Sequence, residues 1–306
     1  MSPRARQRPR VSLVVKRTSY RRFVMEVHDP RVERLLRRGD PTVKSFRSSH
    51  EAHEATVHEV EEALRALDAE IVSRGGPRAR ISPKTDLVVT VGGDGTLLSA
   101  SHQIGRDCAL LGINSAPESS IGFFCGAVKG SVLPALERAL RGTLPAVELT
   151  RMRVDLNGKK VHGRVLNEAL FCHASPAATS RYILRLHRAG RASEDEDQRS
   201  SGLWIGPAAG STAAQKSAGG KILPLTSERI QYVVREPYTP AGGHIRYAKG
   251  LVEATGSLEL RSKMREAKVF MDGHQIVHDV TIGDVLEMRR CEEPLTVLGL
   301  AGKRRT

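Results

Sequence analysis

Leu87-Val88-Val89-Thr90-Val91-Gly92-Gly93-Asp94-Gly95-Thr96-Leu97-Leu98 is the stretch on which the fold turns. Its first five residues are apolar or β-branched and follow a charged turn, Lys84-Thr85-Asp86, which predicts a buried parallel strand. Residues 97–102 read as the opening turns of a helix. The glycines therefore stand where a strand hands over to a helix, at the carboxyl edge where open α/β sheets bind ligands. Gly92, Gly93 and Gly95 remove Cβ atoms that would hold a phosphate off the backbone. The helix start adds unpaired N–H groups and the positive end of a dipole. Asp94 places a carboxylate in the middle of this anion-accepting loop. A negative charge beside bound phosphate is tolerated where it accepts a proton, orients a hydroxyl or holds a metal. The plain alternative is a tight turn with Asp94 as a helix cap. Two better-known phosphate loops do not fit. A P-loop ends in Gly-Lys-Ser/Thr, and a dinucleotide fingerprint needs glycine where Leu98 stands.

Outward from this stretch the pattern is βαβ. Residues 11–15 form an apolar first strand, followed by the basic run Lys16-Arg17-Thr18-Ser19-Tyr20-Arg21-Arg22, which faces either phosphate or solvent. Residues 29–38 read as a short helix stopped by Gly39-Asp40-Pro41. Residues 49–67 read as a longer helix with an apolar stripe of Ala55, Val57, Val60, Ala63, Leu64 and Leu67. His53 and His58 fall on different faces of it, so its histidines are expected to be exposed and not to bind metal. Residues 69–72 form a second strand. Residues 108–114 are another buried strand, ending on Asn114 at the same edge as the glycines. A loop over 115–126 and a helix over 131–141 complete a parallel sheet with crossover helices.

The period changes near Thr143-Leu144-Pro145. Residues 151–156 alternate, Asn157-Gly158 is a two-residue hairpin turn, and alternation resumes at Lys160. Residues 182–186, 230–234, 256–260 and 268–271 are further strands, and Asp272-Gly273 is a second hairpin turn. Residues 192–198 read as a solvated acidic loop. The expected fold is an α/β N-terminal domain with a parallel sheet plus a mostly antiparallel, all-β C-terminal domain. The expected boundaries are a disordered basic tail over 1–10, the α/β domain over 11–147 and the β domain over 148–290. Residues 291–306 would return to the first domain.

Composition narrows the function classes. The net charge of +14 points to nucleic acid or to small polyanions such as nucleotides. With aromatic residues at 4% and no recognition-helix signature, a nucleic-acid module lacks its stacking platforms. No apolar run approaches the roughly 18 residues of a membrane span, and no apolar leader follows the arginines of the first ten residues. The four cysteines show no C-x-x-C spacing, so a zinc site and a disulfide framework are not indicated and a reducing, cytoplasmic setting is expected.

Three other constellations are candidates for binding. Leu166-Asn167-Glu168 ends a strand, where an amide and a carboxylate can bracket a sugar or base; a simple turn is equally open. Gly210-Ser211-Thr212-Ala213-Ala214-Gln215-Lys216-Ser217-Ala218-Gly219-Gly220 sets small residues and hydroxyls before a short helix, which suits close approach of a nucleotide. Asp272-Gly273-His274 is a hairpin tip with polar groups.

Together these residues carry a resemblance to the NAD kinase family. Gly92 to Thr96, Gly112-Ile113-Asn114, Asn167-Glu168, Gly210-Ser211-Thr212-Ala213, Ser217-Ala218-Gly219-Gly220 and Asp272-Gly273 stand in the family's order. Ser200-Ser201-Gly202, Ala208-Ala209-Gly210 and Arg235-Glu236-Pro237 resemble the plant NADH kinase and animal mitochondrial NAD kinase branch. Ser201 stands where most bacterial members have Asp, and Ala214 where they have Tyr, which leaves the choice between NAD and NADH open. The resemblance implies transfer of a phosphoryl group from ATP to the 2′-hydroxyl of the adenosine ribose of NAD or NADH. It also implies an interdomain cleft, Mg2+ or another divalent cation, and a homodimer or homotetramer. Asp94 would be the proton acceptor, with Gly92, Gly93, Gly95, Thr96 and Asn114 around it. Asn167 and Glu168 would hold the ribose, Thr212, Ala213 and Ser217 the adenine, with Ser201, Asp272 and His274 contributing to dinucleotide binding. A lipid or sugar kinase sharing the Gly-Gly-Asp-Gly loop, or a nucleotide-binding protein without catalysis, is the alternative.

Overall fold

The structure, a computed structural model, describes residues 8–188, 194–239 and 244–300. The chain forms two compact units. One runs to Val147 and takes in the chain again from Leu295; the other is Glu148–Pro294.

The first unit is built on a seven-stranded sheet. Its order is Glu70–Gly75, Arg10–Val15, Leu87–Gly92, Ala109–Asn114, Leu295–Leu298 and Ala146–Leu149, with Cys125–Val128 also paired to Ala109–Asn114. The central strands run parallel. Val15 lies opposite Val91, Val91 opposite Ile113, and Gly92 opposite Asn114. This register brings three strand ends to one edge, where the Lys16 amide donates to the Val91 carbonyl at 2.9 Å and the Ser115 amide to the Gly92 carbonyl at 3.2 Å. Leu87–Gly92 is buried along its whole length, as its unbroken apolar run demands. Val57, Val60 and Leu64 of helix Phe46–Ala66 and Val132 and Leu136 of helix Val132–Leu140 share one core with Val89, Val91, Leu111 and Ile113. Helix Pro30–Arg37 starts where the sequence indicates, with the Asp29 carboxylate accepting from the Arg31 and Val32 amides and proline in the first turn.

Several expectations need correction. Helix Phe46–Ala66 starts before Ser49, and its inward stripe is His53, Thr56, Val57, Val60, Ala63 and Leu64, while Ala55 is exposed. His53 is therefore not on an exposed face: it is 1% exposed, with Nδ1 2.9 Å from the Ser115 hydroxyl. The three- and four-residue steps that bury Val57 and Val60 extend one turn further back and reach it. Arg8 and Arg10, assigned to the basic tail, are tied down: Arg8 pairs with Asp68, and Arg10 opens the first strand with its guanidinium on Asp86 at 2.8 Å. Residues 1–7 of that tail and 301–306 of the C-terminal segment lie outside the described residues.

The second unit consists of two antiparallel six-stranded sheets. One orders Asp195–Ser200, Ser180–His187, Ser257–Ser262, Val285–Arg290, Met152–Leu156 and Lys159–Val165. The other orders Lys249–Val252, Ile230–Val234, Leu203–Pro207, Ala169–His173, Ala267–Met271 and Ile276–Val280. Alternate residues of both sheets meet in a single core that includes Val154, Leu184, Leu258, Ile205, Ile230 and Val269, and the Phe171 and Tyr182 rings pack edge to face at 5.6 Å. Both hairpin turns take left-handed backbone, with φ 50° and 74° at Asn157-Gly158 and 48° and 104° at Asp272-Gly273. The acidic loop expected over 192–198 is largely a strand, Asp195–Ser200. Its carboxylates face basic residues: Asp195 is paired across the ladder with Arg185 and Asp197 meets Lys263, while Gln198 and Ser200 turn inward. The first two residues of that expected loop lie outside the described residues.

Candidate active site

In the first unit the glycine loop owes its shape to contact on two sides. A Cβ on Gly92 would lie 2.3 Å from the Thr96 hydroxyl and 3.0 Å from Lys16 Cβ, and one on Gly93 would lie 2.4 Å from the Ser120 hydroxyl. Both glycines are thus required by packing. Gly95 is different: a Cβ there would meet nothing, and the residue is exposed. It is the glycine that leaves bare backbone for a ligand at the start of helix Asp94–Ser101. Thr96 is buried beneath the loop.

The Asp94 carboxylate is oriented by the backbone. Oδ2 accepts from the Phe123 amide at 2.9 Å and Oδ1 from the Phe124 amide at 2.8 Å. Residues 115–124 therefore fold back over the glycine loop. Asn114, at the end of its strand, spends its side chain on the same loop: Nδ2 donates to the Ser120 carbonyl at 2.8 Å and Oδ1 accepts from the Ala116 amide at 3.2 Å. Gly122, with φ +59°, allows the close approach, since a Cβ there would sit 2.3 Å from Asn114 Nδ2. Asn114 thus shapes the site and does not offer a free group to a ligand. A carboxylate has about four acceptor positions, so two remain on Asp94 for a ligand hydroxyl.

The second unit brings Asn167, Glu168 and the glycine-and-hydroxyl segment together. Asp272 does not point outward from its hairpin tip. Its carboxylate accepts from the backbone amides of Leu166 at 2.8 Å, Asn167 at 2.7 Å and Glu168 at 3.1 Å, which makes it the clamp behind the Asn167-Glu168 turn. On the other side, Gly206 and Gly210 press on that turn, where Cβ atoms would come 2.2 Å and 1.8 Å from the Asn167 carbonyl. Ser211 is fully buried and structural: its hydroxyl donates to the Ala208 carbonyl at 2.7 Å and accepts from the Leu223 amide at 2.9 Å. Thr212 and Ala213 are half-buried, while Ser217 and His274 are exposed.

Asn167 Oδ1, Glu168 Oε2 and Gln215 Nε2 are buried without a hydrogen-bond partner among the described residues. Buried polar atoms are nearly always paired, and each one left over costs about 1–3 kcal/mol. Three such atoms belong to one neighbourhood, since the Gly206 α-carbon faces Asn167, Glu168 and Gln215 Nε2 alike. Burial, and then the charge of Asp272, push the Glu168 carboxyl up to about 7. Burial pushes Asp272 up to about 6 against the pull of its three amide bonds.

Gln215 lies inside the segment Thr212 to Ser217 that the resemblance assigns to the adenine, though nothing singles it out there. It is a long amide inside a run of small residues, fully buried here and accepting from Gln231 Nε2 at 3.0 Å. Ser201 is not brought to this neighbourhood. It precedes strand Leu203–Pro207 at the end opposite to Gly206, where Leu203 pairs with Phe171. Its amide donates to the Arg235 carbonyl at 3.0 Å, and the Arg235 guanidinium lies 5.8 Å from the Trp204 ring centre.

Residues 14–138 match the family described as the ATP-NAD kinase N-terminal domain. A probable NADH kinase of Oryza sativa subsp. japonica is 36% identical over 219 residues, 66% of this chain and 67% of the relative. The chain belongs to the NAD kinase family. An NADH kinase of Arabidopsis thaliana is 34% identical over 220 residues, covering 66% of this chain and 69% of the relative. An NAD kinase of Geotalea daltonii is 30% identical over 284 residues, covering 87% and 88%. The crystal structure of an NAD kinase from Archaeoglobus fulgidus in complex with ATP matches with a TM-score of 0.68 over 97% of this chain and 96% of that one. At 20% identity that match shows the shared NAD kinase fold.

Among the described residues no three His, Cys, Asp or Glu side chains gather as a metal cage. None of their helices is long and apolar enough to cross a membrane.

Proposed function

We propose that this NAD kinase family member transfers the γ-phosphoryl group of ATP to the 2′-hydroxyl of the adenosine ribose of NAD or NADH, forming NADP or NADPH. The observation that carries the assignment of roles is the Asp94 carboxylate, fixed by the Phe123 and Phe124 amides with acceptor capacity to spare. A free carboxylate, with a pKa near 4, cannot strip a ribose hydroxyl in the ground state. In a loose phosphoryl-transfer transition state it needs only to orient the hydroxyl and take the proton late. The bare backbone at Gly95, at the start of the helix, donates its amide to phosphate oxygens. Asn167 and Glu168 hold the dinucleotide's ribose. Thr212 and Ala213 line its base, and Asp272 holds Asn167 and Glu168 in place.

A divalent cation fits this chemistry by neutralising the donor's phosphates. With no protein cage among the described residues, it would be held largely by those phosphates, with Asp94 the carboxylate of the loop. We assign the enzyme to the cytoplasm as a homodimer or homotetramer, which sedimentation would test.

The decisive assay measures initial rates of NADP(H) formation with NAD and NADH, each against ATP and polyphosphate. The two plant relatives are named as NADH kinases, so NADH is the expected better acceptor. Phosphorylation of a lipid or sugar in place of both dinucleotides would defeat the reading, as would dinucleotide binding without product.

A further inference from the structure

The glycine loop contains no lysine, yet a cation stands beside it. Lys16 follows strand Arg10–Val15 at the ligand edge of the sheet, and its amide donates to the Val91 carbonyl. The missing side chain of Gly92 gives it room, since the space where a Gly92 Cβ would sit lies 3.0 Å from Lys16 Cβ. The lysine stem therefore rises directly alongside the loop.

The arginines that follow Lys16 are engaged elsewhere. Arg17 and Arg21 share Glu26, and the Arg22 guanidinium lies over the Phe23 ring. Among the described residues the Lys16 ammonium has neither a hydrogen bond nor a carboxylate partner, although the residue is only partly exposed. His53, which feels the Lys16 charge, is buried, and burial first, against the pull of Glu54 and with Lys16 adding to it, holds that imidazole down at about 4. His53 is thus neutral at physiological pH and adds no competing cation. An ammonium on a flexible stem beside an anion-accepting loop, with no carboxylate of its own, leaves its charge for a ligand. Bound phosphate would supply the missing charge.

We propose that Lys16 is the cation that contacts the phosphate oxygens of ATP at the glycine loop, a role that a P-loop gives to a lysine of its own and that this chain supplies from the neighbouring parallel strand. The inference rests on the kinase reading above for the identity of the donor. A flexible stem carrying a compact charge can follow the γ-phosphoryl group as its charge spreads during transfer.

The test compares Lys16→Met and Lys16→Arg with the unaltered enzyme. Lys16→Met is expected to lower kcat/KM for ATP ten- to hundredfold, the size of one charge-assisted hydrogen bond, and to leave the KM for NADH within threefold. Lys16→Arg is expected to restore most of the loss. Calorimetry with the non-hydrolysable analogue AMP-PNP and with adenosine gives a second readout. Lys16→Met should weaken AMP-PNP about tenfold and adenosine not at all. Taking the ratio of the two affinities in one sample cancels any misfolded fraction. The melting temperature of Lys16→Met should stay level or rise, whereas a lysine that merely braced the fold would lower it. Kinetics toward ATP within twofold of the unaltered enzyme would overturn the proposal. So would an unchanged AMP-PNP to adenosine ratio, a loss shared equally by NADH, or Lys16→Arg as impaired as Lys16→Met. If the unaltered enzyme makes no NADP(H), the kinase reading fails, and the AMP-PNP to adenosine ratio still decides whether Lys16 holds phosphate.

Discussion

Asp94→Asn tests two functions of one side chain. The carboxylate accepts one amide on each oxygen, from Phe123 and Phe124. An asparagine keeps one acceptor and turns an NH2 group toward the other amide, so one charge-assisted bond is lost and two donors face each other. The expected destabilisation is about 1.5–3 kcal/mol. For a domain of this size that corresponds to a fall in melting temperature of roughly 4–10 °C. Turnover should fall further than folding explains. Removing a positioned general base costs about 10²- to 10⁴-fold, and the charge that oriented the ribose hydroxyl goes with it. The measurements are kcat at 25 °C, well below the variant's melting point, NADH affinity by calorimetry, and hydrogen exchange at the Phe123 and Phe124 amides. The expected pattern is a large loss of kcat, NADH affinity largely kept, and faster exchange at those two amides. Near-normal turnover would remove the base assignment. Lost turnover with unchanged melting and unchanged exchange would show instead that the backbone bonds do not orient the carboxylate.

The remaining predictions separate packing from chemistry. Gly95→Ala meets no atom, so melting should be unchanged or up to about 1 °C higher per few tenths of a kcal/mol gained, while the KM for ATP rises at least fivefold; unchanged ATP kinetics would show that no phosphate approaches this backbone. Gly210→Ala would drive a methyl to 1.8 Å from the Asn167 carbonyl, and a stability loss of about 1–3 kcal/mol with a raised KM for NADH is expected from denaturant titration and kinetics. Glu168 carries a proton in the folded state up to about 7 but loses it near 4.5 when unfolded, so folding binds protons in that window and stability falls as pH rises through it, at most by about 1.4 kcal/mol per pH unit. Asp272, raised to about 6, adds a slope of the same sign below that pH, so Glu168→Gln should reduce the slope of melting curves most clearly between pH 6 and 7, and an unchanged slope there would place the titration elsewhere.

The readable parts of this chain are those where one local rule suffices. An unbroken β-branched run followed by glycines could only be a buried strand ending at a loop, and Leu87–Gly92 is that strand. Asn157-Gly158 and Asp272-Gly273 needed only the left-handed backbone their residue types allow. What stayed hidden depends on partners far away in sequence. Nothing near His53 announces that Ser115, 62 residues on, completes its surroundings. The strand Asp195–Ser200 looks like a loop until Arg185 and Lys263 are set beside its carboxylates. In the candidate site the residue types at Asp94, Asn167, Glu168 and Thr212 were legible. The engagement of Asn114 and Asp272 with backbone amides was not, because a side chain turned inward on a loop and one offered to a ligand have the same letter.

Strand Leu295–Leu298 lies in the first sheet between Ala109–Asn114 and Ala146–Leu149, although 145 residues of the second unit separate it from the latter's end. A ribosome delivers the amino-terminal half long before this insertion is available. Until then Cys125–Val128 covers only the second half of the Ala109–Asn114 edge, and the first half, where Val297 will lie opposite Leu110, stays open to wrong pairing. The first unit can therefore close only after nearly the whole polypeptide has emerged. Amino-terminal fragments ending near Val147 should be recovered as aggregates, and nascent chains should lean on chaperones until the final segment arrives.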